Sequence, residues 1–424
     1  MRSGSDEPSE APSGAAHTGG SGHPAPRRVP QLLLDRTFGS YFLGQTVATI
    51  AVWIHNVAAA VLVWELTRST ALVAAITIGQ FVPQLILTPW SGARADRRDR
   101  RRQLVTGTLI TAVGSGLIAL WSATLGLSGT TGAYAVIAAA VVVGTGFSVS
   151  GPAAQALLPS LVEPRELATA IAIASVPMTI ARAIGPALGA ILITVGGPTL
   201  TFTVTAALHT TYAVVMHRRG RPVPVPSDGR DPRIRAALRH VLDERPMLYL
   251  LIGVTTVGMG VDPVITLAPA FADALNGAGD VVGLLASAFG LGAGAGFAVQ
   301  PLARRRIGVE RTATLGLVIL ALGLAPLGHA PNVRAGLAMM LVAGVGMTLS
   351  LTAFTTAIQQ RVPDHLRGRV MALWSIAFLG SRPLAALLSG AISQARDEVT
   401  ALAVAVAIVL LGALVSRPSR TRSR

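Results

Sequence analysis

The sequence predicts an all-α fold built for a membrane: a polytopic protein of about twelve transmembrane helices in two pseudo-symmetric six-helix bundles. Three observations carry that expectation. The composition is 51% hydrophobic and 13% charged with a mean hydropathy of +0.58, where a water-soluble domain carries about 25% charged residues. The chain of 424 residues divides into apolar runs of roughly 20 residues, the length at which a helix rising about 1.5 Å per residue crosses a hydrocarbon core about 30 Å thick. Finally, the two halves of the chain resemble each other.

In chain order, residues 1–37 read as a disordered tail, rich in Gly, Ser, Pro and Ala over residues 1–30 and poor in large apolar side chains. The tail lacks the short apolar region and cleavage site of a signal peptide. Six spans follow near 39–64, 71–90, 104–125, 133–157, 168–195 and 199–217, forming a first bundle over 38–216. A basic linker occupies 217–246, and within it "IRAALRHVLDERP" has the apolar spacing of an amphipathic helix lying on the membrane surface. Six more spans near 247–270, 281–303, 312–330, 333–358, 371–392 and 399–416 form the second bundle over 247–416, and a basic tail ends the sequence at 417–424.

The halves are related by a shift of 200 residues. "GTGFSVS" at 144–150 matches "GVGMTLS" at 344–350, and the same ungapped shift pairs Ala153 with Ala353, Val162 with Val362, Ser175 with Ser375 and Arg182 with Arg382. Such self-similarity is the mark of transport proteins built from two related repeats.

Every basic side chain is an arginine, and their distribution predicts orientation, because positive residues accumulate in cytoplasmic loops. With both termini inside, 30 of the 35 arginines fall on the cytoplasmic side. Arg68, Arg334 and Arg396 fall outside, and Arg182 and Arg382 fall within spans. The net charge of +15 therefore reads as topology. A nucleic-acid interface would need a soluble basic face with stacking aromatics, and aromatics are 4% of the chain. The arginine-only basic set, with its high Ala and Gly content, is a codon signature of a GC-rich bacterial genome, so the expected location is a bacterial cytoplasmic membrane.

Zero cysteines exclude disulfides, thiolate metal sites and cysteine nucleophiles. No zinc-spaced histidine cluster, serine–histidine–aspartate arrangement or Walker motif is present, so neither a metal nor a cofactor nor enzymatic activity is expected. "GLGAGAG" at 290–296 lies inside the eighth span, where small residues serve close helix packing.

"GARADRRDRRR", Gly92 to Arg102, resembles the loop 2-3 signature of the major facilitator superfamily of transporters. Gly92, Asp96, Arg97, Arg100, Arg101 and Arg102 match that pattern, while Asp99 stands where a second glycine is usual. "RAIGPALGA" in the fifth span is similar to the family's antiporter motif at Gly185, Pro186 and Gly189, with Ala190 replacing its final glycine. "PDHLRGRVMALW", Pro363 to Trp374, resembles the loop 10-11 segment of the branch containing the enterobactin exporter and drug-efflux carriers. The resemblance implies alternating access, with proton antiport as the energy source. It also implies a gate in which Gly92, Asp96, Arg97 and Arg100 meet the end of the eleventh span around Arg367 and Arg369. Gly92 would allow close approach of the loop to a neighbouring helix, and the arginines would bind carboxylates and helix-end carbonyls across the interface between halves.

Ionisable and polar residues within spans are the candidates for a cavity, because charges there are costly and usually face one another or a wet path. Arg182 and Arg382 lead, either as cavity charges or as groups that bond local carbonyls. His55, Asn56, Gln80 and Gln84 offer polar contacts, and Thr348, Ser350, Thr352, Thr355 and Thr356 give the tenth span a polar character. Asp262, in "GMGVDPVIT", is the one carboxylate inside a predicted span. It is a proton-coupling candidate together with His55, and equally a cap for a broken helix in which Pro263 takes the first position.

The function expected is export of a small organic molecule, such as a drug, siderophore or secondary metabolite, by a monomer in a lipid bilayer. A proton-coupled importer is the alternative within the class, and a membrane-embedded receptor or enzyme the alternative outside it.

Overall fold

The computed structural model of the chain describes residues 27, 29–219, 234–277, 279–363 and 366–421, and among these there are helices and no strands. Eleven helices are long and apolar enough to cross a membrane. One of them covers 55 residues, Pro164–Arg218, about 80 Å of helix at 1.5 Å per residue and more than two bilayer cores. It breaks at Gly197, whose φ of 66° and ψ of −177° interrupt the helical backbone in a region that only glycine enters cheaply. Counted across this break, the chain makes twelve crossings.

In chain order these are α1 (Phe38–Thr67), α2 (Thr70–Arg97), α3 (Arg100–Thr124), α4 (Gly129–Leu157), α5 (176–196), α6 (198–219), α7 (Arg245–Val261), α8 (Gly279–Ile307), α9 (Val309–Leu324), α10 (Val333–Arg361), α11 (Arg367–Ala395) and α12 (Glu398–Val415). A short helix, Leu167–Ala174, leads into α5, and a helix forms in the linker at Ile234–Asp243, with Val241 buried in the core. Both described chain ends lie at one end of the bundle, hereafter the terminal end; the opposite end is the far end.

Three expectations need correction. The tail was placed at 1–37, yet a helix forms at Val29–Leu34. Arg27 is fastened by its Nε and Nη2 to the two oxygens of Glu166, at 2.8 Å each, and by Nη1 to Asp35 at 3.0 Å. Glu166 is buried, so this is an anchored segment held to the connection between α4 and α5. Residues 1–26 lie outside the described ones. Second, the loop between the second and third spans is only Arg98 and Asp99. α2 runs through the motif to Arg97, with Arg94 and Arg97 in its last turn where cations complement the helix dipole. Asp99 caps α3 by accepting from the Arg101 and Arg102 amides. Third, the seventh span is broken at Asp262 as expected, with Pro263 first in the next turn, but Asp262 has helical backbone angles and its side chain makes no cap hydrogen bond.

The internal repeat is visible as duplicated packing. On Gly107 and Gly146, which face each other across α3 and α4, an added Cβ would stand 2.7 and 2.6 Å from the other's carbonyl oxygen. Gly316 and Gly346 repeat that contact across α9 and α10 at 2.8 and 2.6 Å. In both copies a serine, Ser150 or Ser350, bonds back to the carbonyl four residues earlier at 2.9 Å. Where two glycines meet, the helix backbones can approach closely, and dispersion between them replaces the hydrophobic force that lipid does not supply.

The halves meet along α2 with α11 and α5 with α8, and they meet at the far end. Arg68 pairs with Asp273 at 2.6 Å, Gln394 donates to the Ser69 hydroxyl at 3.0 Å, and Thr70 reaches Glu398 at 3.4 Å. Gly279 packs on Val61 and Thr194, and Gly390 on Ala71 and Ala74. Toward the terminal end the packing loosens, with Leu85 of α2 still against Gly380 of α11. None of residues 81–90 of α2, 297–306 of α8 or 371–380 of α11 is buried. Ten consecutive residues cover every direction around a helix, so the faces turned toward the other half are partly accessible too. The molecule is a cleft closed at the far end and open at the terminal end.

Candidate functional site

The apex of this cleft gathers the unusual residues of the sequence. On α5, Gly185 and Gly189 lie against α1, where added Cβ atoms would stand 2.5 Å from the Trp53 Cβ and 2.8 Å from the Ile54 carbonyl oxygen. The Pro186 carbonyl faces Gly283 of α8, so α5 is clamped between a helix of its own half and one of the other. One turn before Gly185, the Arg182 backbone carbonyl abuts Gly290 of α8. Its guanidinium lies over the Trp53 ring, 5.6 Å from the centroid, and donates from Nη1 to the Met347 sulfur of α10 at 3.5 Å.

Arg382 occupies the equivalent position on α11. Its guanidinium lies over the Phe81 ring of α2 at 4.8 Å, within electrostatic range of both Arg182 and Asp262. α7 reaches α11 through Gly258, which meets the Ser381 hydroxyl and the Phe378 carbonyl. Asp262 is 0% exposed; one oxygen accepts from the Thr266 hydroxyl at 2.9 Å.

These groups are underbonded. Asp262 Oδ1, Arg182 Nε, Arg382 Nε and Nη2, Asn56 Oδ1, Thr348 Oγ1 and Trp374 Nε1 are buried without a hydrogen-bond partner. Buried polar atoms are paired in all but a few cases, and an unpaired one costs about 1–3 kcal/mol. A concentration of donors with an aromatic shelf, at the junction of two halves, is arranged to receive a polar ligand or water.

Sequence reasoning missed the aromatic part. Trp53, Phe81 and the stacked Trp374–Phe378 pair, 5.5 Å between centroids, are not distinguished from the other apolar residues of their runs. Their signal is positional: Trp53 lies one turn before Asn56, and Phe81 directly follows Gln80.

Other expected cavity residues sit elsewhere. His55 is buried inside the first half, with Nδ1 3.0 Å from the Ser115 hydroxyl of α3 and its ring edge-on to Phe202 of α6 at 5.2 Å. Two residues beyond Trp53 it faces about 200° away, and so it does not border the cleft apex. Gln84 donates to the Gln80 carbonyl within α2, and Gln80 is buried where Gly144 of α4 packs on its backbone. On α10, the hydroxyls of Ser350, Thr352, Thr355 and Thr356 bond back to carbonyls three or four residues earlier, leaving Thr348 as the unpaired one.

In this conformation Gly92 is not packed against the other half. An added Cβ on Gly92 meets nothing within 4 Å, contrary to the close approach expected of it. Arg97 is exposed. Arg100 does bond helix-end carbonyls, those of Ala95 at 3.2 Å and Ala156 at 3.0 Å, but these belong to α2 and α4 of its own half. Arg369 is half-buried at the start of α11. The side chains of Asp96 and Arg367 lie outside the described ones.

Twelve crossings around a central, two-sided cleft define a major facilitator transporter, and solved structures agree. The nucleoside transporter NupG superposes with a TM-score of 0.74 at 11% identity, over 90% of this chain and 99% of that one. The D-xylose–proton symporter gives 0.73 at 14% identity, over 92% and 99%. A bacterial homologue of the iron transporter ferroportin gives 0.71 in its inward-facing state at 18% identity, over 89% and 97%, and 0.61 in its outward-facing state at 16% identity, over 90% and 98%.

Residues 32–423 match the transmembrane secretion effector family of these transporters, and the chain belongs to it. The multidrug efflux pump Tap of Mycobacterium tuberculosis is 31% identical over 257 residues, 57% of this chain and 59% of that protein. An uncharacterised transporter of the same superfamily from Salmonella typhimurium is 33% identical over 114 residues, 26% and 28% of the two chains. The chain thus spans less than two thirds of the length of the curated relatives it matches.

Proposed function

We propose that this protein exports a small organic anion with a flat apolar part across a bacterial cytoplasmic membrane, by alternating access and proton antiport. The observation that carries the reading is the pair Arg182 and Arg382, one from each half, each lying over an aromatic ring with buried N–H groups unbonded. A guanidinium fork binds a carboxylate or phenolate with two parallel hydrogen bonds, and the rings of Trp53 and Phe81 supply a flat surface. Drug-like and siderophore-like metabolites fit that description. The similarity to Tap supports efflux as the direction, and the arginine distribution supports termini in the cytoplasm, so that the open cleft faces inward. Asp262 is the proposed proton carrier.

A second reading has its own observation. A cargo anion on Arg382 would compete with Asp262, which lies within electrostatic range of that arginine. Competition of this kind would bring a proton in together with the cargo, which is the stoichiometry of a symporter.

The experiment is transport in proteoliposomes with an imposed pH gradient, comparing an anionic aromatic such as salicylate with its neutral amide. Export against the proton gradient, abolished for the anion in Arg182→Gln and Arg382→Gln, supports the proposal. Equal loss for both cargoes would make the arginines structural, and accumulation with the proton would select the symport reading.

A further inference from the structure

A second cavity lies away from the cleft. About 430 Å³ in volume, it is lined by Trp90, Arg94 and Arg98 of α2 and its end, Asp99, Arg102, Gln103, Thr106 and Ile110 at the start of α3, and Val149 of α4. Phe81 and Leu85 of α2 meet α11, through Arg382 and Gly380. Trp90 follows Phe81 by nine residues, two and a half turns, and so lies on the opposite face of α2. The cavity therefore opens outward, toward lipid, at the terminal end of the bundle.

Its chemistry is lopsided. Among the described residues, three arginines face one carboxylate, and Asp99 is already committed to the α3 amides and to Arg102 at 3.4 Å. Arg94 lies over the Trp90 ring at 5.5 Å, and the Arg98 side chain makes no hydrogen bond or ion pair among the described residues, its backbone N–H donating to the Arg94 carbonyl. Gln103, 4% exposed, donates to Ser91 and to the Val149 carbonyl, while its Oε1 is buried without a partner. The site thus offers cationic donors to a phosphate and one buried acceptor to a hydroxyl. Above it, α3 presents Leu109, Val113 and Leu117 as an exposed apolar stripe, the surface an acyl chain would cover. Trp90 has the amphipathic character of a residue at headgroup depth.

We propose that this cavity binds the headgroup of an anionic phospholipid bearing hydroxyls, of the phosphatidylglycerol class, from the leaflet at the terminal end. The phosphate sits among Arg94, Arg98 and Arg102, a headgroup hydroxyl donates to Gln103 Oε1, and an acyl chain lies along α3. Basic pockets between membrane helices are suited to such headgroups.

The test uses brominated lipids, which quench tryptophan on contact, added to the full chain in micelles of a neutral detergent. Brominated phosphatidylglycerol should quench saturably and brominated phosphatidylcholine weakly. Trp90→Phe should remove the saturable part. Arg94→Gln and Arg98→Gln should each raise the half-saturating phosphatidylglycerol concentration roughly fivefold, while Arg305→Gln at the end of α8 should leave it unchanged. Elution as an undamaged monodisperse species on size-exclusion chromatography qualifies each variant. Equal quenching by both lipids, or quenching unaltered in the two arginine variants, overturns the site. Displacement by millimolar inorganic phosphate overturns the lipid assignment and makes the cavity a free-anion site.

Discussion

Asp262 and Arg382 show how far single residues could be read. Both are charges in apolar runs, and such charges are visible in any sequence because hydrocarbon penalises them. Their neighbourhood was not visible. His55 and Trp53 differ by two positions in a helix apolar on all sides, so no amphipathic phase reveals that one faces Ser115 and the other Arg182. At this scale, Asp262→Asn keeps the volume of the side chain and an oxygen acceptor for Thr266 but cannot carry a proton. In proteoliposomes it should bind cargo with near-normal affinity while substrate-induced proton movement disappears. Proton movement retained in full would remove Asp262 as the carrier. The sign of that movement in the unaltered protein distinguishes antiport from symport.

Among the elements, the glycine contacts make opposite predictions at positions that look alike in sequence. Gly346→Val forces a side chain against the Gly316 carbonyl and the α9 backbone. Overpacking of this kind costs about 1–3 kcal/mol, so the thermal unfolding midpoint and the detergent-stable yield should fall, and Gly146→Val should behave alike through its equivalent contact with Gly107. Gly92→Ala meets open space inside a helix. It should leave the midpoint unchanged or raise it, since glycine within a helix is about 0.5–1 kcal/mol less favourable than alanine. If Gly92 approaches α11 only when the terminal end closes, the same substitution should slow transport several-fold. Normal transport in Gly92→Ala would remove the gating role. The spans themselves were legible because each is an apolar run bounded by charge, and the Gly197–Pro198 break because that dipeptide stops a helix. The extension of α2 through its arginines was not, since hydropathy falls at Ala93–Arg97 while arginine remains a good helix former.

For the whole molecule, the two-halved architecture was legible through the shift of 200 residues, because duplicated packing needs the same small residues in both copies. The conformation was not, since one sequence must encode both a closed and an open terminal end. The far-end contacts Arg68–Asp273 and Ser69–Gln394 are exposed or half-buried polar pairs, individually worth about 0–1 kcal/mol, a strength suited to contacts that break each cycle. Tethering them should trap the state described here. A disulfide formed between Arg68→Cys and Asp273→Cys should abolish transport reversibly, with activity restored by reductant. Full activity in the oxidised form would show that the far end need not open.

The most direct measurement follows from the absence of native cysteines, which permits clean spin labelling. Labels at Leu125→Cys and Arg396→Cys report on the far end, and labels at Ser160→Cys and Arg306→Cys on the terminal end, by double electron–electron resonance in lipid nanodiscs across a salicylate titration. Alternating access about the arginine pair predicts two populations in each distribution that shift oppositely, the far-end distance lengthening as the terminal-end distance shortens, with the shift lost in Arg182→Gln/Arg382→Gln. Distances that stay fixed, or that lengthen and shorten together at both ends, would contradict it.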